Sequence, residues 1–133
     1  MLILDTNVIS ALRRPERRPD VSSWLRRQRE EDLFLSVVTV GEIERGIALK
    51  EAGDPTFAAE LRSWLERTTS IFADRILPFG SAEARIWGRL SARLGHDGAD
   101  LLIAATALSS GATIVTENVS DFEPTGVQVE RPS

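Results

Sequence analysis

Short apolar runs alternate along this chain with longer stretches in which apolar residues recur every three or four positions. The runs MLIL from Met1, LFLSV from Leu33, RILPF from Arg75, TIVT from Thr113 and VQVE from Val127 have the length of buried strands. Pro78 ends the third. The stretches between them have helical spacing. Asn7 to Leu12 reads as the opening turns of a helix, stopped by the two prolines of RRPERRP. Asp20 or Ser22 can cap a helix over VSSWLRRQR, with Val21, Trp24 and Leu25 on one face. Thr39 opens a helix through GEIERGIALK, with Val40, Ile43, Ile47 and Ala48 on one side, and Gly53, Asp54 and Pro55 break it. Phe57 to Phe72 carries Phe57, Leu61, Trp64, Leu65 and Phe72 at helical spacing. Ser81 is an N-cap for a helix through Leu94, although Ala84 stands where a capping box wants Glu or Gln. Asp97 or Gly98 starts a helix that ends near Gly111. It is apolar nearly all round, as a buried helix is. Strands alternating with helices predict an α/β fold: a mostly parallel sheet flanked by helices on both faces. With no repeat and no linker, residues 1–133 form one domain.

Composition narrows the chemistry. The chain has no cysteine, which excludes disulfides, a thiolate nucleophile and Cys-ligated zinc. His96 is the only histidine, so acid–base chemistry by a histidine pair is excluded, and a solvent-facing loop position suits it. Ser36, Ser109 and Ser110 lack a base that would make a nucleophile. The longest apolar-rich stretch, LLIAATAL, is far short of the roughly 20 residues that span a bilayer, and no secretory pattern fits the start. A cytoplasmic protein without membrane association is the expectation. Trp24, Trp64 and Trp87 sit at core spacing and suit packing better than base stacking.

Charge changes the picture through its distribution. The net charge of −4 argues against a general polyanion binder. Yet Arg13, Arg14, Arg17, Arg18, Arg26, Arg27 and Arg29 crowd the N-terminal region, whereas Asp97, Asp100, Glu117, Asp121, Glu123 and Glu130 crowd the last third. Most of these are solvated helix faces. A basic rim beside an acidic centre is the sharper expectation, and Arg13 and Arg14, just after the first helix, are candidate contacts to a phosphate backbone.

The acids map to one rim. In such sheets the ligand crevice lies beyond the carboxyl ends of the strands. Asp5 directly follows MLIL. Its buried charge costs several kcal/mol unless paired or bound to a cation, so it either caps the next helix or binds something. Glu42 falls in the first turns after LFLSV, and Glu44 points to another face. Thr116 closes TIVT, with Asn118 and Asp121 after it. Asp121 can also cap the turn before Phe122. Asp100 opens the buried helix. The helix dipole favours an acid there, but Asp97 already suits that role. Carboxylates converging on one rim repel unless a cation joins them. Oxygen-only donors select hard cations, Mg²⁺ or Mn²⁺, which stabilise charge on a phosphate and activate water. The chemistry implied is metal-assisted phosphodiester hydrolysis.

LDTNVIS, TVGEIERGI, DLLIAATAL and TENVSDF occur in this order across essentially the whole chain. Together they resemble the PIN-domain ribonucleases, and most of all the VapC toxins of bacterial toxin–antitoxin pairs, in their FitB-like branch. The resemblance implies an acidic site on Asp5, Glu42, Asp100 and Asp121. It implies that Thr6, Asn7, Thr116 and Asn118 hold carboxylates and waters in place. It also implies a Mg²⁺- or Mn²⁺-dependent endoribonuclease acting on RNA, so that the backbone at Arg13 and Arg14 is that of RNA. It implies a homodimer as well, and a VapB-like antitoxin that blocks the acidic groove and carries any contact with operator DNA. Many relatives have arginine where this chain has Glu117, which adds a negative charge near the site. Two other readings compete. One is a catalytically weak PIN-like protein that acts through its partner and operator DNA. The other is a receiver-like phosphoacceptor, which wants a lysine on a late strand, whereas the sole lysine, Lys50, lies in a helical stretch.

Overall fold

The computed structural model describes all of residues 1–133. The five expected strands form one sheet: β1 (Leu2–Leu4), β2 (Leu33–Ser36), β3 (Ile76–Leu77), β4 (Thr113–Val115) and β5 (Gln128–Glu130), in the spatial order β3-β2-β1-β4-β5. Every pair is parallel. Seven helices connect them: α1 (Thr6–Ala11), α2 (Pro19–Arg26), α3 (Val37–Glu51), α4 (Pro55–Ile71), α5 (Ser81–Leu94), α6 (Ala99–Ser110) and α7 (Val119–Phe122).

Successive strand residues face opposite ways, so a sheet covered on both sides needs apolar residues at every position. Ile3 and Ile114 join a core with Ile103, Leu90 and Phe122, under α5, α6 and α7. Leu4 and Val115, their chain neighbours, join a second core with Val8, Val21, Trp24 and Phe72, on the α1, α2 and α4 side. Each such side chain contributes about 1.5–3 kcal/mol on burial, which is why the strand runs are apolar without alternation. A smaller cluster of Ile47, Ala58 and Leu65 ties α3 to α4. Trp24 is buried, while Trp64 and Trp87 pack half-buried against the cores, as their spacing predicts. Ala48, expected on the packed face of α3, is exposed.

Several helix starts differ from the expected ones, each for a hydrogen-bonding reason. α1 begins at Thr6 because Asp5 Oδ1 accepts the Thr6 N–H at 2.8 Å. Ser36, not Thr39, caps α3: its Oγ accepts the Val38 N–H at 3.1 Å, and Thr39 is left in the first turn with a buried, unpartnered hydroxyl. Asp54 both follows the break after α3 and caps α4, accepting the Phe57 N–H at 3.1 Å. At α5 the N-cap is Gly80 rather than Ser81. This places Glu83 at the third helical position, where its Oε1 accepts the Gly80 N–H at 2.9 Å. At α6, by contrast, the start is one of the two expected: Gly98 takes the N-cap, with no side-chain capping bond there. Gly111 ends α6 with φ 67°, a left-handed conformation that glycine adopts without strain.

The chain runs from β1 outward through β2 to β3, then crosses back to β4 and β5 on the other side. The carboxyl ends of β1 and β4 therefore flank a topological switch point, where such sheets open a crevice. No helix is long and apolar enough to cross a membrane.

Candidate active site

Asp5 stands at this switch point, immediately after β1. Its backbone N–H continues the ladder to the Val115 carbonyl at 2.9 Å, so the residue is fixed as firmly as the strand itself. The side chain is buried. Oδ1 takes the Thr6 N–H. Oδ2 accepts the Thr116 hydroxyl at 2.7 Å and the Asn7 amide at 3.3 Å. The Thr116 hydroxyl in turn accepts the Asn118 N–H at 3.0 Å. Asp5 therefore caps α1 with one oxygen and anchors a polar net across β1 and β4 with the other. Burial pushes its carboxyl above the usual aspartate range. The hydrogen bonds from Thr116 and Thr6 work against that rise, and the charge of Asp121 adds to it.

The other three acids arrive on separate elements. Glu42 lies on the second turn of α3, and its Oε1 accepts the Thr6 hydroxyl at 2.8 Å. Asp100 lies in the first turn of α6, half-buried. Asp121 lies in α7, exposed. Partial burial raises the Asp100 carboxyl first. The charges of Asp5, Asp121 and Glu42 raise it further, and His96 acts the other way. Asp100 thus lies within electrostatic reach of the other three acids that the sequence singles out, and Asp5 within reach of Asp121. None of them pairs with an arginine or lysine, although eight ion pairs occur elsewhere in the chain. No three of them close on a point as a ready cage for a metal ion. The donor set is all oxygen and uncompensated. That suits a hydrated divalent cation, which uses few carboxylates and keeps several waters.

Thr6, Asn7 and Thr116 enter this net through their side chains, whereas Asn118 enters it only through its backbone N–H and its side chain makes no hydrogen bond. His96 is exposed in the loop before α6. Arg13 and Arg14 follow α1, and Arg14 reaches Glu16 at 4.0 Å. Glu117 differs from expectation: it adds no free negative charge. Its carboxylate pairs with the Arg18 guanidinium through two hydrogen bonds, Nη1 to Oε2 at 2.8 Å and Nη2 to Oε1. Its carbonyl accepts Arg131 Nη1 at 3.0 Å, and its N–H reaches Asn7 Oδ1 at 3.5 Å. Sequence reasoning missed this Arg18–Glu117 clasp, because nothing local links residues 99 positions apart.

The PIN domain family profile matches residues 2–123, a span that holds all four acids. A VapC ribonuclease of Sinorhizobium fredii, Y4jK, is 36% identical over 99% of this chain and 97% of its own length. Toxin FitB of Neisseria gonorrhoeae is also 36% identical, over 99% of this chain and 98% of its own. Among solved structures, that of FitAB bound to an IR36 DNA fragment superposes with a TM-score of 0.84 at 36% identity, covering 99% of this chain and 95% of the matched one. With the sheet order, the acidic switch point and the matched span all in agreement, the chain belongs to the PIN domain family.

Proposed function

We propose that this protein is an endoribonuclease, the toxin of a type II toxin–antitoxin pair of the VapBC kind, dependent on Mg²⁺ or Mn²⁺. The observation that supports the reading is the charge at the switch point: Asp5, Asp121 and Glu42 all act on Asp100, and none of the four acids has a cationic partner. The VapC ribonuclease and toxin FitB, matched end to end, supply the substrate class and the biological setting. When bound, a divalent ion supplies positive charge against the phosphate oxygens and lowers the pKa of water.

The chain's own residues do the rest. Asp5, Glu42, Asp100 and Asp121 hold the ion, in part through water. Thr6 fixes Glu42, while Thr116 and Asn7 fix Asp5, so the carboxylates keep one geometry as charge develops. Water attacks the scissile phosphorus and gives up a proton to one of these carboxylates. The bond to the ribose oxygen breaks, that oxygen takes up a proton from solvent as it leaves, and no protein atom forms a covalent intermediate. A VapB-like antitoxin restrains the enzyme by filling the acidic groove. It carries any operator contact, in keeping with a FitAB structure that holds a DNA fragment, and the chain works as a homodimer in the cytoplasm.

The test is cleavage of a mixed cellular RNA pool by antitoxin-free protein with Mg²⁺, with Mn²⁺ and with EDTA, beside Asp5→Asn. Discrete metal-dependent fragments, absent from the variant, are expected. No cleavage by folded protein under either metal would overturn the reading in favour of a protein that acts only by binding.

A further inference from the structure

A cleft of about 230 Å³ runs between α1, α3 and α4, beside the acidic rim. Thr6, Ser10 and Arg13 line it from the α1 side, and Glu42 and Lys50 from α3. Eight residues along a helix span about 12 Å, so Glu42 and Lys50 mark two ends of one stripe. At the Glu42 end the Thr6 hydroxyl bonds the carboxylate, so the cleft is walled there by one of the four acids and by the residue that follows Asp5. At the other end the Arg13 guanidinium and the Lys50 ammonium both lie against the Phe57 ring, 5.2 Å and 5.5 Å from its centroid.

These two cations are unlike most of their neighbours. Arg62, close by on α4, bridges Glu44 and Glu51. Arg18 is committed to Glu117. Arg14, also a candidate RNA contact from the sequence, leans toward Glu16 and does not line the cleft. Arg13 and Lys50 form no ion pair and donate no side-chain hydrogen bond. An aromatic face attracts a cation while leaving its N–H groups free for an acceptor. Two like charges held on one ring repel each other, and an anion between them relieves that repulsion. The cleft is mixed in polarity and too small for a packed helix, but it admits a phosphate with its sugar.

We propose that Arg13 and Lys50, positioned by Phe57, form a phosphate subsite that grips the RNA backbone to one side of the scissile bond. This rests on the ribonuclease reading for the identity of the ligand. It adds a polarity to the site: the strand enters over the cations at the α3–α4 end and reaches the acids at the switch point.

The experiment measures the affinity of a fluorescently labelled single-stranded oligoribonucleotide by anisotropy across a salt series, in Mg²⁺, with Asp100→Asn as the cleavage-deficient parent. Arg13→Gln and Lys50→Gln together are expected to weaken binding about tenfold at low salt. They should also flatten the plot of log affinity against log salt by about 0.7 for each phosphate that the protein no longer neutralises. Arg89→Gln, exposed on α5, is the control and should leave both quantities at the parent's values. Equal affinity and slope in the double variant, an equal weakening in the control, or no binding by the parent would each overturn the proposal. Cleavage by the otherwise unaltered protein is scored separately. Loss of binding in the double variant alone, with no cleavage under any metal, would uphold the subsite and sink the nuclease reading.

Discussion

Thr116 sets how much charge Asp5 can carry. Its hydroxyl is fully buried and donates to Asp5 Oδ2 at 2.7 Å, opposing the desolvation that raises the Asp5 carboxyl. In Thr116→Val that oxygen keeps only the longer bond from Asn7. The carboxyl rises further, and a smaller fraction is ionised and able to hold a cation. Cleavage is expected to fall roughly 10- to 100-fold, as it does when groups supporting metal ligands are removed. Raising the metal concentration or the pH should recover part of it, and Thr116→Ser should stay near the parent. A metal titration of cleavage at two pH values checks this. A deficit that neither metal nor pH relieves would mean that Thr116 acts elsewhere. Asp5 and Thr116 were legible in the sequence because each directly follows an apolar run, and the end of a buried strand fixes where its next residue stands. The two roles of Asp5 were not separable there: a carboxylate has two oxygens, and only the structure shows that one caps α1 while the other faces Thr116.

The strands and the six longer helices were legible in the sequence, but the four-residue α7, which carries Asp121 where the sequence reads as a loop, was too short for a periodicity to show. Most helix starts were not legible either, because several polar residues near each start compete to cap it. Thr39 is the clearest case. Ser36 takes the cap, and the Thr39 hydroxyl is buried without a partner. A buried unsatisfied hydroxyl costs about 1–3 kcal/mol, so Thr39→Val, which keeps the shape, is expected to stabilise the protein by about 1 kcal/mol. Denaturant unfolding checks this, and a destabilised variant would reveal a partner for the hydroxyl. The Arg18–Glu117 clasp also belongs to this scale, since it ties the entry to α2 to the loop between β4 and α7. That loop carries Asn118 and leads to Asp121, and Glu117 also touches Asn7. Arg18→Glu should therefore lower cleavage roughly 10-fold, and the exchanged pair Arg18→Glu with Glu117→Arg should restore much of it. If the exchanged pair is as poor as the single variant, the clasp does not position the loop.

At the scale of the whole molecule, parallel pairing followed from the alternation of strands and helices. The net charge of −4, by contrast, said little, because what matters is which acids lack partners. Those acids make stability and function pull in opposite directions. Asp5 and Asp100 both have carboxyls raised above the ordinary 3.8 in the folded chain. A raised carboxyl means that the folded state binds its proton more tightly than the unfolded state does. The stabilisation from protonation is therefore complete below 3.8 and is lost as the pH rises through the raised values. At neutral pH the metal-free fold holds these charges against their mutual repulsion. Removing one of them should help the fold: in EDTA at about pH 7, Asp100→Asn is expected to melt at a higher temperature than the parent, and its stability should change less between neutral and mildly acidic pH. A divalent ion should do for the parent what the substitution does for the variant. At a hundredfold excess over its Kd, binding stabilises by about 2.7 kcal/mol, so Mg²⁺ or Mn²⁺ should raise the parent's melting temperature at neutral pH and leave Asp100→Asn nearly unmoved. Thermal melts with metal and with EDTA, set beside cleavage of RNA, decide the matter. A variant that is stabilised, insensitive to metal and inactive locates the cost of the active site in its uncompensated acids. A variant no more stable than its parent in EDTA would show that Asp100 is relieved by something other than a cation.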